Sequence, residues 1–123
     1  MHITVSTIDP ADYPPKGQQF FKDFKAAYGS AEPEPYAIYG YEAMSLLLDS
    51  MQRAGSSCND RAAVADQVFK TKDRDSVLGV YSIDKDGDIT TSRFGRFLVK
   101  NGRLLYDKTV FIERDSYGHP LSR

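Results

Sequence analysis

The sequence predicts an α/β fold in which three helices pack on a small sheet and a C-terminal β-hairpin follows them. Two observations carry this prediction. Three segments before Thr71 repeat apolar side chains at helical spacing. After Thr71 the pattern changes to short runs of branched and aromatic residues separated by turn residues. The 123 residues suffice for one core, so we expect residues 1–123 to form a single domain.

The N-terminal segment predicts a strand followed by a helix. Residues 3–8 alternate branched and polar side chains, as a half-buried strand does. Prolines at 10, 14 and 15 then interrupt regular structure, because proline lacks a backbone donor and restrains the residue before it. A helix is predicted over 16–28, since aromatic side chains recur there every fourth residue, and Gly29 is suited to end it.

Two further helices follow a stiff connector at 31–35. The second is predicted over 38–54 and ends at Gly55, and its apolar side chains indicate packing on a sheet or between elements. The third is predicted over 61–70, where Asn59 or Asp60 can cap it. The apolar stripe of the second helix consists of Tyr41, Met44, Leu47, Leu48 and Met51.

The C-terminal part reads as strands and turns. Residues 77–83 predict a strand and 84–88 a polar turn. Asn101-Gly102 between two apolar runs predicts a hairpin, because both residues tolerate positive φ. The polar tail after Phe111 is expected to fray or to make a contact. The first strand has no evident parallel partner, which suggests that the chain is part of something larger or pairs with another copy.

Composition argues against several classes of protein. Hydrophobic residues make up 41% of the chain and charged residues 27%, which argues against a disordered protein. The net charge is −1 and the basic residues form no stripe, so we predict no nucleic-acid partner. The longest apolar run is too short to cross a bilayer, and the N-terminus does not read as a signal peptide. The single Cys58 cannot form an internal disulfide.

Residue patterns for metal, cofactor or catalytic chemistry are weak. Asp84, Asp86 and Asp88 resemble the start of a calcium loop, but glycine stands at the fourth position instead of the sixth, and the twelfth is Gly95. A polar turn explains them better. His2 and His119 stand at opposite ends of the sequence without metal-ligand spacing, and no glycine-rich phosphate loop occurs. We therefore expect no catalytic residues, no metal and no cofactor, and a protein that is not an enzyme.

A tyrosine cluster at the entry to the second helix is the candidate ligand-binding site. Tyr36 and Tyr39 can line a pocket there, beside N–H groups at a helix start that favour a carboxylate. Gly40 would let a ligand approach the backbone closely. The alternative is that these tyrosines only pack the helix against a neighbour, since tyrosine is often half-buried for that reason.

Four segments in order resemble one known family. They are YPPKGQQF with the following F and YG at 13–29, PYAIYGYEAM at 35–44, DRAAV with FKTKD at 60–73, and G.YSID.DGD at 79–88. Together with Phe94, Phe97 and Val99, these segments are similar to the C-terminal segment of branched-chain amino-acid-type solute-binding proteins, the type I periplasmic class that serves ABC importers. The resemblance covers residues 3–110.

The resemblance implies a partial periplasmic-binding-protein-like lobe within a two-lobed clamp that closes on a small solute. Residues 1–89 would be first-lobe elements, and 90–123 the C-terminal hairpin and tail. Tyr36 corresponds to an aromatic residue of the cleft, Tyr39 lies one turn further on, and Tyr41 is expected to pack inside. In this family most groups that hold the ammonium and carboxylate of the ligand lie upstream of this segment.

The implied function is that of the C-terminal part of an extracytoplasmic binding protein for amino acids or similar small polar solutes. Its implied partners are the solute and the permease of an ABC transporter, and its implied location is periplasmic or extracellular. A stand-alone interaction or oligomerisation module, derived from that fold without ligand binding, is the alternative. Uncovered apolar faces and strand edges would favour a homodimer in either case.

Overall fold

Three α-helices and five strands make up the described part of the chain, which comprises residues 1–29, 33–91 and 93–111 of this computed structural model. The α/β prediction is therefore confirmed. Short 3-10 turns lie at Pro10–Asp12 and Gly55–Ser57. In chain order the elements are β1 (His2–Val5), α1 (Pro15–Tyr28), α2 (Ala37–Ala54), α3 (Arg61–Phe69), β2 (Arg74–Ser76), β3 (Gly79–Tyr81), β4 (Arg93–Lys100) and β5 (Arg103–Phe111).

The helix ends follow the local chemistry, and the three helices agree with prediction to within one residue at each end. Pro15 opens α1, where its missing N–H costs nothing because the first helical N–H groups have no intrahelical acceptor. The Asp60 carboxylate caps α3 by accepting a 2.9 Å hydrogen bond from the N–H of Ala62. None of the described helices is long and apolar enough to cross a membrane.

Within the described residues two antiparallel sheets form, one of three strands in the order β1-β4-β5 and one of β2 and β3. The partner of the first strand is β4, with Ile3 opposite Phe97. The predicted hairpin is confirmed: β4 and β5 meet at Asn101-Gly102, where φ is 52° and 71°. The ladder between β4 and β5 shifts register between Arg96 and Phe97, which is the mark of a β-bulge.

Two strand predictions were wrong in extent. The segment 77–83 does not form one strand, because Val77 and Leu78 make the turn between β2 and β3. The Ser76 hydroxyl holds this turn by accepting from the Leu78 N–H at 3.0 Å and donating to the Gly79 carbonyl at 2.7 Å. Likewise β1 ends at Val5, and Ile8 leaves the sheet for the core. A run of apolar residues indicates that a segment is buried, but a buried turn has the same apolar composition as a buried strand.

The polar turn predicted at 84–88 is confirmed. The Asp84 carboxylate accepts hydrogen bonds from the N–H groups of Asp86 and Asp88, at 3.0 Å and 2.9 Å. These backbone hydrogen bonds, of which the one from Asp88 has the largest effect, keep the pKa of Asp84 below its usual value. The tail after Phe111, which was expected to fray or make a contact, lies outside the described residues.

The core is small and lies where α1, α2 and the β2–β3 turn meet. Ile38 at the start of α2 is fully buried and packs with Val77 and Leu78 of that turn. Gly17 allows α1 to approach, since a Cβ there would lie 2.4 Å from the Val77 carbonyl oxygen. This packing fixes the first turn of α2, which carries the tyrosine pair. The buried cluster consists of Ile8, Tyr13, Ile38, Val77 and Leu78, flanked by Phe20, Phe21, Tyr39 and Ile89.

The apolar stripe of α2, which was expected to pack on a sheet or between elements, is largely exposed within the described residues. The helix buries Ile38, Glu42 and Ser50 instead. Tyr41, expected inside, is 52% exposed and touches the ring of Phe20 at a centroid distance of 5.2 Å. The stripe itself was located correctly, but nothing in the described chain covers it.

Candidate functional site

The tyrosine pair lies where the start of α2 meets the end of β1. The Tyr39 hydroxyl donates a hydrogen bond to the carbonyl oxygen of Ser6, just beyond the last residue of β1. The Tyr36 ring lies beside Tyr39, with centroids 6.1 Å apart and planes inclined by 48°. The structure thus brings the two predicted site residues together and ties one of them to the strand.

The two tyrosines have different surroundings. Tyr39 is half-buried against the core. This burial is the main reason why the pKa of its hydroxyl is raised, and the neighbouring Tyr13 is the second reason. The hydroxyl therefore stays protonated at neutral pH and remains a donor to Ser6. Tyr36, by contrast, is 58% exposed. Tyr36 is thus the more accessible member of the pair, while Tyr39 is bonded to the end of β1.

Some of the backbone amides that the sequence suggested for a carboxylate at the start of α2 already have acceptors. The Ala37 N–H donates to the Glu34 carbonyl at 2.8 Å, and the Tyr39 N–H donates to the Tyr36 carbonyl at 3.1 Å. Both groups are engaged before any carboxylate arrives. At Gly40 a Cβ would meet nothing within 4 Å, so the described chain leaves this position open.

A small cavity is lined by Pro35, the residue before Tyr36, but by neither tyrosine of the pair. Its volume is about 210 Å³, below the roughly 300 Å³ at which ligand pockets begin. Its polar groups are few. The cavity is lined by Thr7, Ile8, Asp9, Pro10, Phe21, Pro33, Pro35, Phe97 and Tyr106, so it joins the end of β1 to the β4–β5 hairpin.

Sequence reasoning missed a buried polar network one turn further along α2. The Glu42 side chain accepts from Arg74 Nε at 2.6 Å and from the Tyr81 hydroxyl at 2.8 Å. The pKa of Tyr81 is raised, mainly by burial and secondly by the hydrogen bond to Glu42. The Tyr81 hydroxyl therefore keeps its proton and donates a hydrogen bond to Glu42. A carboxylate on the otherwise apolar entry of α2 was the available signal, but its partners are 32 and 39 residues away.

A second polar cluster joins the hairpin to the N-terminal loop. The Asp12 carboxylate accepts from the Thr109 hydroxyl at 2.7 Å and also from the Tyr106 hydroxyl. The bonds from Tyr106 and Thr109 keep the pKa of Asp12 below its usual value. Within the described residues, no group of three or more His, Cys, Asp and Glu side chains is placed to hold a metal ion. His2 lies in β1, and His119 lies outside the described residues.

Comparison with solved structures finds similar folds in amino-acid-binding proteins and other substrate-binding proteins of ABC transporters. The leucine-binding protein LivK of Thermotoga maritima superposes with a TM-score of 0.71 at 30% identity, over 90% of this chain. An ABC transporter substrate-binding protein of Desulfitobacterium hafniense, solved with leucine, gives 0.70 at 26% identity over 85% of this chain. LivJ of Streptococcus pneumoniae, solved with isoleucine, shares the fold, with a TM-score of 0.70 at 22% identity over 89% of this chain.

The chain spans 31%, 30% and 30% of those three proteins, in the same order. No protein of curated function matches it. The sequence profile of the periplasmic binding protein family matches residues 2–102, which is most of the chain. The resemblance seen in the sequence is thereby confirmed, and the chain belongs to the periplasmic binding protein family.

Proposed function

We propose that this chain is the C-terminal part of an extracytoplasmic solute-binding protein that delivers amino acids or similar small polar solutes to the permease of an ABC transporter. The family match over residues 2–102 supports the class, and the leucine- and isoleucine-binding relatives support the type of solute. Family membership also supports a periplasmic or extracellular location. On this proposal residues 1–89 are elements of the first lobe, and residues 90–123 are the hairpin and tail.

The proposed site rests on the difference in exposure and hydrogen bonding between Tyr36 and Tyr39. Tyr39 fixes the start of α2 to Ser6, and Tyr36 lies beside it as a residue that is more than half exposed. An exposed aromatic ring on a rigid support is suited to pack against an aliphatic or aromatic solute side chain. We therefore assign solute contact to Tyr36 and to the accessible edge of Tyr39.

A thermal-shift panel with the intact chain tests solute binding. The panel holds aliphatic amino acids, their amides and small aromatic acids, because a ligand that binds only the folded state raises the unfolding midpoint. A shift with one class, lost in Tyr36→Ala, is the expected result. Tyr28→Ala is the matched control, since Tyr28 is also exposed, at 70%, but lies at the far end of α1.

The panel can contradict either the position of the site at Tyr36 or solute binding itself. A shift that survives Tyr36→Ala would show binding elsewhere on the chain. A folded protein without any shift would contradict solute binding by this chain and favour the second candidate function.

The second candidate is an interaction or oligomerisation module that keeps the fold without binding a solute. Among the residues that the structure describes, it is favoured by the uncovered apolar stripe of α2 and by the two outer strands of the sheet, β1 and β5. Self-association is common to both candidates, and we propose that the chain forms a homodimer. Sedimentation velocity across a concentration series measures this directly, and a monomer throughout would contradict it.

A further inference from the structure

The described chain folds as two units that are joined by two connecting segments. The first unit is the three-stranded sheet of β1, β4 and β5, and the second, the helical unit, contains α1–α3 with β2 and β3. Within the described residues, no strand of one unit pairs with a strand of the other. The chain leaves the sheet after Val5 and rejoins it at Arg93, so it crosses between the units twice.

Asp12 lies in the first connecting segment but is fixed to the helical unit. It is the last residue of the 3-10 turn Pro10–Asp12, directly before α1. The Gln18 side-chain amide of α1 donates to the carbonyl oxygens on both sides of it, that of Ala11 at 3.1 Å and that of Tyr13 at 3.0 Å. Asp12 is therefore held by α1 and should move with it.

The two hydroxyls that bind Asp12 belong to the sheet. Tyr106 and Thr109 of β5 both donate to its carboxylate, and their hydroxyl oxygens lie 2.6 Å apart. Residues three positions apart in a regular strand point to opposite faces. Here the β-bulge leaves Asp107 without a residue opposite it, which brings the two hydroxyls to the same side. The bulge thus aims both groups at one carboxylate.

The sheet stabilises the charged form of Asp12. The hydrogen bonds from Tyr106 and Thr109 have the largest effect, and the positive charge of Arg93 in β4 also keeps the pKa of Asp12 below its usual value. The carboxylate is therefore ionised at neutral pH, and its bonds are stronger than bonds between neutral groups. Asp12 is exposed, however, so water can replace the hydroxyls when the bonds break. The contact is specific in geometry but can open reversibly.

The cavity of about 210 Å³ lies between the two units beside this contact. Its walls include Phe21 of α1 and Pro35 before α2 on one side, and Phe97 and Tyr106 of the sheet on the other. Closely packed protein interiors contain few voids larger than a water molecule. The units are therefore not tightly packed against each other here, and one has room to turn towards the other.

We propose that Asp12, Tyr106 and Thr109 form a latch that sets the angle between the helical unit and the three-stranded sheet. When its bonds break, the sheet turns about the two connecting segments. The role of this latch in binding rests on the proposed function, in which the angle between the units controls access of the solute, but the motion itself is measured without a solute. The latch also refines the proposed division at residue 89, because β1 then moves with the hairpin.

The distance between two spin labels tests the latch. The native Cys58, which follows α2, reports on the helical unit, and Leu104→Cys, at a site in β5 that is 59% exposed, reports on the sheet. Electron–electron double resonance, with excess unlabelled chain to remove distances between molecules, should give one narrow distance distribution. It should broaden more in Asp12→Ala, which removes both bonds, than in Thr109→Val, which removes one. Asp66→Ala, which breaks an exposed ion pair at the end of α3, should leave the distribution unchanged.

The two latch variants act from opposite sides of the contact, so a folding defect in one does not remove the test. Thr109→Val keeps the shape of the side chain and leaves the turn at Asp12 intact. Circular dichroism shows whether each variant is folded.

Three outcomes would overturn the latch: distributions that are equally narrow in the wild-type chain and both variants, a wild-type distribution as broad as theirs, or the same broadening in Asp66→Ala. A thermal-shift panel without any shift would contradict solute binding and leave these distances unchanged, so the two proposals fail separately.

Discussion

The Nε atom of Arg74 lies 2.6 Å from Oε1 of Glu42, and this ion pair joins β2 to the buried side of α2. The side chains are only 19% and 6% exposed, so water screens the pair little. The Tyr81 hydroxyl donates to the same carboxylate oxygen. One carboxylate of α2 is thereby bonded to both strands of the small sheet, β2 and β3, which lie more than 30 residues further along the chain.

Removing Arg74 should therefore destabilise the chain strongly. Arg74→Ala leaves Glu42 buried without its cation, and the expected loss in free energy of unfolding is about 3 kcal/mol. Urea denaturation measures it. Lys16→Ala is the control, because the Lys16–Asp75 pair is more than half exposed on both sides and should contribute little. Equal effects of the two substitutions would argue that the buried pair is not structural.

The same substitution at two glycines of helices should have opposite effects. In Gly17→Ala the new Cβ would lie 2.4 Å from the Val77 carbonyl oxygen and 2.7 Å from Tyr13 Cβ, so α1 must shift. We expect a loss of about 1–3 kcal/mol. In Gly40→Ala the space is open and the helix gains about 1 kcal/mol. Thermal unfolding of both variants gives the comparison, and a loss in both would mean that Gly40 is approached by a neighbour.

Substitutions at the two tyrosines of the pair should differ in how much they lower the stability of the fold. Tyr39→Phe removes the donor to the Ser6 carbonyl and should cost about 1 kcal/mol. Tyr36→Ala removes a ring that is 58% exposed and should change the urea midpoint much less. A large loss in Tyr36→Ala would instead support the interpretation that both tyrosines serve only to pack α2 against its neighbours.

Stability should fall in alkaline solution. Burial raises the pKa of Tyr81 in the folded state above its ordinary value of 10.0. Such a group contributes stability that is full below about pH 10 and is lost as pH rises through the folded pKa. Urea midpoints between about pH 8 and 11 should show the fall, less steeply in Tyr81→Phe. Tyr28→Phe, at an exposed site, should keep the wild-type slope, and identical slopes in all three proteins would contradict the assignment.

The helices and the hairpin were predictable because their signals are local. Asp60 caps α3 through a residue two positions away, and Asn101-Gly102 turns the hairpin by itself. The turn at Val77 and Leu78 was not predictable, since a buried turn and a buried strand have the same apolar composition. Its conformation depends on the Ser76 hydroxyl, whose bonds only the folded backbone reveals.

The site was predictable in position but not in the roles of its residues. The sequence placed Tyr36 and Tyr39 at the start of α2, yet only the structure shows that Tyr39 is committed to Ser6. Glu42 was overlooked because its partners, Arg74 and Tyr81, are far away along the chain. The stripe of α2 was identified by its period, but a period does not state whether the partner of an apolar face belongs to the same molecule.

The pairing of β1 with β4 has a consequence for the order in which the chain acquires its structure. Ile3 pairs with Phe97, so β1 cannot find its partner until translation has passed β4. The β4–β5 hairpin closes a two-residue turn and can form early, whereas adding β1 closes a loop of nearly the whole chain. Docking of the N-terminal strand should be the slow step of refolding, and a nascent chain should expose that strand to chaperones.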